Sequence, residues 1–583
     1  MEPWRPWCDE ILERARESSR PVVLYTRASW CRWCREFERD VLSDPRVRAT
    51  LESCFTAVEV DGERRPDLAA RFAKRGWPAL SYLDNSGELL ACDGYLGVDE
   101  LLARLDLVAG YWSENAALRR RLREARDRDT RESSASPHAP AHEGGLSDEI
   151  LRDVTDRLLT SSDPQFGGWG AAQKFPHPEA VDFVLARWSQ TGDAALRQLV
   201  LRTLRGMEQG EIHDSVEGGF YRFCAAPDWS SPDYEKTLVT NAQRLHVYLE
   251  AHQALGEPSF ARTASGVVDW LSTTLLDPST GAFRGSQDAD ALYAHGRTRE
   301  ERRKRAAPAC DPTIFADANA AAVSALLRAA QHLERFDCEA LALRALDFVR
   351  EELWDERGGV HHYYDGARRL PGLLRDQAFT LRALLDAVQY AGATERLADA
   401  ERIAQGCERL LACENGGFWD MPSNPHARGA LQRRTRPLAD NAVLAEGLLL
   451  LSHMCGEPRW AQLARRTLSA LAGEYKRAGH EAASYARAVD LALRPPVHVV
   501  VLGSARSNDT LALRRAALAP YVTRRIVQTL DVERDRLWIE RLGLSAEPSQ
   551  PARALVSCGR ESYALTSDPA RLPALLARVE PAA

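Results

Sequence analysis

The chain has 583 residues, 45% hydrophobic and 27% charged, with a formal net charge of −7. This length predicts several domains rather than one core, and the acidic balance excludes a dedicated nucleic-acid binder. The opening "MEPWRPWCDE" lacks the basic-then-apolar pattern of a signal peptide, and no run of about 20 apolar residues occurs. The expectation is therefore a cytoplasmic protein with no membrane partner and reduced cysteines.

In chain order, "VVLYT" (22–26) is a short β-branched run that reads as a buried strand. A helix follows, with Trp33, Phe37 and Val41 spaced by four on one face. "FTAVEVD" (55–61) is a second strand, and "PDLAARFAKRG" is a helix opened by Pro66 and closed by Gly76. "WPALSYL", "NSG" and "ELLACDG" read as a hairpin turning at Asn85 to Gly87, and a last helix starts at Val98.

Cys31 and Cys34 sit between the first strand and its helix. No second close cysteine pair completes a four-cysteine zinc site, so no metal is expected there. With the dithiol in this place, residues 1–125 resemble a thioredoxin-like domain. A cysteine at a helix start meets free N–H groups and the positive end of the helix dipole, which favour a thiolate. Arg32 adds positive charge, Cys34 is placed to resolve a mixed disulfide, and Pro78 falls where the fold puts a proline, usually cis, opposite the dithiol. One departure stands out: typical thioredoxins carry an acid on the strand before the dithiol, whereas this strand offers Val23, Leu24 and Tyr25. The competing reading is two inert packing cysteines in an inherited fold.

Residues 126–146 are charged and then rich in Ser, Ala and Pro, the composition of a solvated linker. From 147 to 494 the pattern changes to twelve amphipathic helices, near 147–160, 178–190, 194–209, 236–254, 258–275, 317–334, 338–353, 374–391, 395–412, 438–453, 457–476 and 482–493. Short joins such as "LGEPS" alternate with longer ones, five of which carry a Gly-aromatic element: "FGGWG", "EGGFYRF", "TGAFRG", "RGGVHHYY" and "NGGFWD". Six helical hairpins closed into an (α/α)6 barrel would gather these longer joins at one rim.

That rim carries the aromatics Trp169, Phe175, Tyr221, Trp229, Tyr234 and Tyr293 and the carboxylates Glu217, Asp233, Glu235, Asp288 and Asp290. Aromatic faces among carboxylates suit a sugar-like small molecule. Only five lysines occur in the chain, and Lys174 and Lys236 fall in these loops, which marks them as positions where arginine does not serve. A glycosidase needs two carboxylates flanking the scissile bond, and Glu235 with Asp290 is the pair to test. For epimerisation, His177 with His361 or His362 are the candidates. The alternative is that these acids cap helices and tie the rim loops together.

Residues 495–583 read as a small α/β region, with strands at "VHVVVLG", "RRIVQTLD" and "ARALVSCG" and helices at "DTLALRRAALAPYV" and 569–579. Gly503 and Ser504 after a strand give a phosphate-loop hint, and "RTREERRKR" (297–305) reads as a solvated loop. The stretches "SWCRWC", "VDGERRPDL", "GWPAL", "FGGWGAAQKFPHP", "GGFYRF", "YEKTLVTNAQ" and "GAFRGSQDAD" together resemble the YyaL-type or spermatogenesis-associated thioredoxin-domain family. The resemblance implies a thioredoxin-like domain joined to a six-hairpin-glycosidase-like barrel; no cofactor is expected. Relatives usually have His at Tyr221 and His-Phe-Glu-Lys at Asp233 to Lys236, and a Ser-Trp-Asn tract is replaced by Ala316 to Asn319. Three functions follow: a thiol–disulfide oxidoreductase or redox sensor acting on a protein thiol client, a non-catalytic scaffold, or a carbohydrate-active barrel.

Overall fold

The computed structural model describes residues 3–8, 10–115, 145–559 and 561–579, so the expected linker lies outside the described residues except for its last two positions. The chain divides into two compact units, Met1–Ala141 with Asp420–Thr435, and His142–Trp419 with Arg436–Ala583.

Unit 1 is built on a five-stranded sheet in the order β1-β3-β2-β4-β5. Its elements are β1 (Arg5–Pro6), α1 (Ile11–Glu17), β2 (Val22–Arg27), α2 (Arg32–Phe37), α3 (Pro45–Cys54), β3 (Thr56–Asp61), α4 (Pro66–Phe72), β4 (Ala79–Leu83), β5 (Leu89–Asp93) and α5 (Val98–Glu114). β2 runs parallel to β3 and antiparallel to β4, the thioredoxin arrangement. β2 is buried from Val22 to Thr26, which is why its sequence is a continuous apolar run rather than an alternating one.

Two details differ from the sequence reading. α3 was not expected; Asp44 caps it, accepting Arg46 N–H at 2.8 Å, and Pro45 takes its first position. The helix after the dithiol turns into a π-turn at Glu38–Leu42. Phe37, just before that turn, and Val41, within it, are buried, but Trp33, in the first turn of α2, is 46% exposed and rests edge-on against Tyr95.

Residues 420–435, counted in the barrel by sequence, belong to unit 1. Ala430 is buried in a core cluster with Ile11, Leu12, Val22 and Leu83, and its N–H donates to the Gly87 carbonyl at 3.1 Å. Arg433 forks onto Glu88 at 2.7 and 2.8 Å, and Arg71 donates to Asp420 at 2.8 Å.

Unit 2 contains the twelve helices. Six form a closed inner ring in which each packs on the next: Pro178–Thr191, Leu238–Leu255, Ala316–His332, Leu374–Asp386, Leu438–Cys455 and Ala482–Leu493, the last returning to the first. Asp148–Ser161, Ala194–Gln209, Pro258–Trp270, Asp337–Glu352, Arg396–Leu411 and Pro458–Ala470 form the outer layer. Leu438–Cys455 is long and apolar enough to cross a membrane, but 72% of it is buried, as an inner helix enclosed on every side requires.

The C-terminal region forms a four-stranded sheet in the order Arg525–Leu530, Val497–Leu502, Arg553–Cys558, Glu561–Thr566. It covers the C-terminal ends of the inner helices. Gln253 donates to the carbonyls of Leu518, Ala519 and Pro520, and Gln528 donates to Met454 O at 3.0 Å. One end of the ring is thereby sealed. The phosphate-loop hint at Gly503 is not supported, because the following Ala505 N–H is already taken by the Asp531 carboxylate at 2.8 Å.

The longer joins cluster at the other end and share one device. In four of them the residue after the glycines is clamped by an amide on the first turn of the next inner helix. Asn241 accepts Phe220 N–H (2.7 Å) and donates to Phe220 O (3.0 Å); Asn319 does the same for Phe283 (2.8 and 2.9 Å). Gln377 clamps Val360 (2.9 and 2.9 Å), and Asn441 clamps Phe418 (2.7 and 3.0 Å). The turns need glycine: Gly218 has φ +87°, and a Cβ there would lie 2.0 Å from Gly266 O.

Replacing Asn441 by Ala strands a buried N–H and a buried carbonyl. Urea denaturation is expected to show a loss of about 2–4 kcal/mol, whereas Asn424→Ala on the exposed loop changes stability by about 0.5 kcal/mol or less.

Candidate functional site

The dithiol lies at the start of α2. Cys31 is the N-cap, its Sγ accepts Cys34 N–H at 3.2 Å, and the two sulfurs are 2.6 Å apart. The hydrogen bond to Cys31 holds the Cys34 thiol below its ordinary value, against burial and the charge of Glu38, which push it up. Both cysteines are buried, packed with Ala28, Trp30 and Trp77 in a small cluster of their own. The Trp77–Pro78 peptide is cis. The Thr26–Ala79 register sets Pro78 beside the loop that leads from β2 into the dithiol. The strand indeed supplies no acid. Instead Tyr25 donates to Glu38 at 3.0 Å and lies 3.4 Å from Cys34 O, so a carboxylate approaches from the helix side. Burial, then the neighbouring Cys34 and Glu38, raise the Tyr25 hydroxyl well above its usual range.

Several of the rim residues in unit 2 hold the loops together. Lys174 is fully buried and donates to Asp163 and to Gly167 O, both at 2.7 Å. Lys236 repeats the pattern on Asp214 (2.6 Å) and Gly218 O (2.9 Å), under the rings of Tyr221 and Trp270. Trp169 and Trp229 are buried and donate to Leu158 O and Phe166 O, each at 2.9 Å. Glu235 is buried against Arg222 at 2.7 Å; burial pushes its carboxyl up, and Arg222 opposes that. Asp290 caps a short helix by accepting Tyr293 N–H at 2.9 Å. Glu235 and Asp290 are thus each engaged by protein partners.

Glu217, Tyr221, Lys236, Asp288 and Asp290 do come together, around a space of only about 10 Å3. Arg302 fills the centre, donating to Asp214 at 2.7 Å and Glu217 at 3.0 Å, while Tyr293 donates to Glu217 at 2.6 Å. Arg302 comes from the segment read as a solvated loop; it forms part of a short helix, Arg299–Arg303, with this one side chain buried. Burial pushes the Asp214 carboxyl up, but Lys236 and Arg302 outweigh it and hold it well below the carboxylate range.

The histidines separate. His177 stacks 4.2 Å from His480 and contacts Glu179 at 3.3 Å. His361 pairs with Asp355 at 2.7 Å; His362, on the opposite face of strand Gly359–Tyr364, pairs with Asp376 at 3.0 Å. Asp317, His362 and Asp376 are buried with ligand atoms within 4.8 Å of one another, a donor set of metal-binding type. Arg375 already sits on Asp317 at 2.6 Å and reaches Asp440 at 3.5 Å, supplying the positive charge.

A second cavity lies inside the inner ring and measures about 250 Å3. One turn beyond Asp317, Arg375 and Asp440, the same helix faces present Ala321, Phe379 and Val443, and then a chain of alternating charge. Arg328 reaches Glu250 at 3.2 Å and Asp386 at 2.9 Å; Arg382 reaches Asp386 at 3.2 Å and Glu446 at 2.7 Å. Asp182 is held by Arg487 at 3.1 Å, with His246 nearby at 3.9 Å. Burial raises the Asp386 carboxyl, but Arg328 and Arg382 bring it down to about 2. None of these lumen residues was singled out from sequence. The available signal was a lone charge inside an otherwise apolar helix, such as Glu446 in "AVLAEGLLLL" or Arg328 in "AVSALLRAA".

Residues 2–121 match the Thioredox_DsbH family model, described as a protein of unknown function, DUF255. Spermatogenesis-associated protein 20 of Mus musculus is 27% identical over 321 residues, 51% of this chain but only 40% of that relative's length. Thiol:disulfide interchange protein DsbD of Ralstonia nicotianae is 38% identical over 82 residues, 14% of each chain. Among solved structures, the cellobiose 2-epimerase from Spirochaeta thermophila is similar at 14% identity and a TM-score of 0.47, covering 59% of this chain and 98% of that one.

The cluster of Asp317, Asp376, Arg375 and Asp440 predicts a pH effect. Burial pushes the Asp440 carboxyl up to about 6; Arg375 opposes this, and Asp317, Glu481 and Asp376 add to it. A raised folded-state value means that Asp440 favours the fold below about pH 4 and that this contribution fades as pH rises through about 6. Asp440→Asn is expected to raise the thermal midpoint at pH 8 and to lose that advantage near pH 4, followed by melting across the range.

Proposed function

We propose that unit 1 is a thiol–disulfide oxidoreductase in which Cys31 attacks and Cys34 resolves. The observation that carries this reading is Cys31 at the N-cap of α2, its sulfur accepting the Cys34 N–H, where charge on sulfur meets the free amides of the helix start. The matches to DsbD and to the Thioredox_DsbH model support it.

In the reductive direction, the Cys31 thiolate attacks one sulfur of a client disulfide. A mixed disulfide forms and the client's other sulfur leaves as a thiolate. Cys34, deprotonated, then attacks Cys31 Sγ; the Cys31–Cys34 disulfide forms and the client's second thiolate is released. Two electrons pass to the client, and an external dithiol restores the enzyme. Because both cysteines are buried against Trp30 and Trp77, a client must displace an indole to reach Cys31. We infer a protein thiol client and a cytoplasmic, reducing setting.

The second reading is that the barrel binds a sugar-like small molecule. The polar, unfilled lumen supports it, since a purely structural ring would be packed with apolar side chains. A glycan-array screen tests it: no bound glycan at millimolar concentration counts against it.

Cys34→Ser is expected to accumulate covalent client adducts that dithiothreitol releases, and Cys31→Ser to accumulate none; equal trapping by both variants refutes the assignment. The Glu38 charge pushes the Cys34 thiol up. Glu38→Gln should therefore move the thiol titration, read by thiolate absorbance or alkylation rate, to lower pH.

A further inference from the structure

The barrel lumen has a floor that its charge chain does not neutralise. The floor is Val522 to Arg525, where the C-terminal region seals the ring. Arg524 is 4% exposed, and its Nε has no hydrogen-bond partner. Its Nη1 approaches Asp490 only at 3.5 Å, and Asp490 already accepts from Arg494 at 2.8 Å and Gln190 at 2.7 Å. Arg525, next to it, gives its Nη1 to the carbonyls of Ala517, Leu518 and Pro520 rather than to a carboxylate. Arg187 is also buried, with an unpartnered Nε, and lies within the field of the same Asp490. Neither floor arginine is thus paired with a carboxylate of the cavity wall.

Burying a guanidinium with its donors unfilled is costly, and a planar fork is matched by a carboxylate or a phosphate. The cavity holds about 250 Å3. From Gln243 to Gln253 the wall rises ten residues along one helix, or about 15 Å at the helical rise. Next to the floor the wall offers the amide of Gln389, which accepts the Val527 N–H at 3.2 Å, and the ring and hydroxyl of Tyr390.

We infer that the lumen binds a monosaccharide-sized anionic molecule, with its carboxylate or phosphate on Arg524 and Arg525 and its hydroxylated body against Gln389 and Tyr390. This site is independent of the dithiol, so its failure leaves the thiol-exchange reading intact, and the reverse also holds.

The test titrates the full chain calorimetrically, at constant ionic strength, with glucose 6-phosphate, glucuronate, glucose and inorganic phosphate. Arginine labelling by phenylglyoxal, mapped by mass spectrometry, is run in parallel. At least one charged sugar should bind about tenfold or more tighter than glucose and should shield Arg524 and Arg525 from the reagent. Which of the two binds decides between phosphate and carboxylate. Arg524→Gln and Arg525→Gln should each weaken that binding about tenfold or more, while Arg515→Gln, on an exposed surface, should bind as wild type. Glucose binding as tightly as the charged sugars, no binding of either, or unshielded floor arginines overturns the inference. Inorganic phosphate binding as tightly as glucose 6-phosphate overturns the hydroxylated body. If Arg524→Gln melts early, Arg525→Gln and the labelling map decide.

Discussion

The barrel depends on one interaction repeated around its rim: a buried amide on the first turn of an inner helix pairing with both backbone groups of the residue after a glycine turn. A glycine turn cannot hold its own shape, since its backbone has the most freedom to lose. The amide supplies both a donor and an acceptor in one plane, so two buried backbone groups are satisfied by one side chain. The same side chains also donate to the carbonyl four residues back, as Asn441 does to Pro437 O at 2.9 Å, fixing the helix start. Each clamp therefore joins a loop to the beginning of the helix that follows it, and in doing so orients the inner face of that helix.

The lysines complete this device. Each reaches an aspartate and a glycine carbonyl of one turn, in two different directions from a single nitrogen. An ammonium donates tetrahedrally; a guanidinium donates in a plane and could not serve both groups in that space. The rarity of lysine in this chain did mark positions with a special demand, and the demand is structural. With the rim tied up in this way, the space left for a ligand lies below it, between the inner helices. There the alternating charges from Glu250 to Glu446 stay buried at a cost that apolar packing would avoid. A cavity kept open and polar at such cost is consistent with the ligand proposed for the lumen.

Much of the architecture was legible. Twelve helices stand where the 3.6-residue periodicity and the glycine stops put them, because ring helices are amphipathic over three turns or more and end in left-handed caps such as Gly192 and Gly256. Short elements were less visible: α3 is ten residues with a weak apolar stripe, announced only by Asp44 and Pro45. Trp33 was misplaced because spacing along a helix does not say how far its first turn is covered by neighbouring elements. Arg302 was misplaced because a run of mixed charge is solvated as a rule, and burying a single member of it depends on partners far away in sequence, Asp214 and Glu217. The lumen was missed for the opposite reason: its residues are isolated charges, and attention went to clusters.

The departures from related sequences can now be located. Tyr221 lies over the Lys236 ammonium at 5.1 Å and packs edge-on against Tyr234, and Glu235 is held by Arg222. Tyr221, Tyr234 and Lys236 line the small space that Arg302 also borders, while the Glu235–Arg222 pair stands beside it. Histidines at these positions would titrate there, whereas a tyrosine raised by burial stays neutral beside the buried ammonium. Ala316 to Asn319 departs in the same sense, keeping the clamp residue Asn319 and adding Asp317, which Arg375 neutralises. The substitutions thus fall on the rim. They leave untouched both the charge chain of the lumen and the helix start that carries Cys31, so the loss of rim histidines is no argument that either site has lost its chemistry.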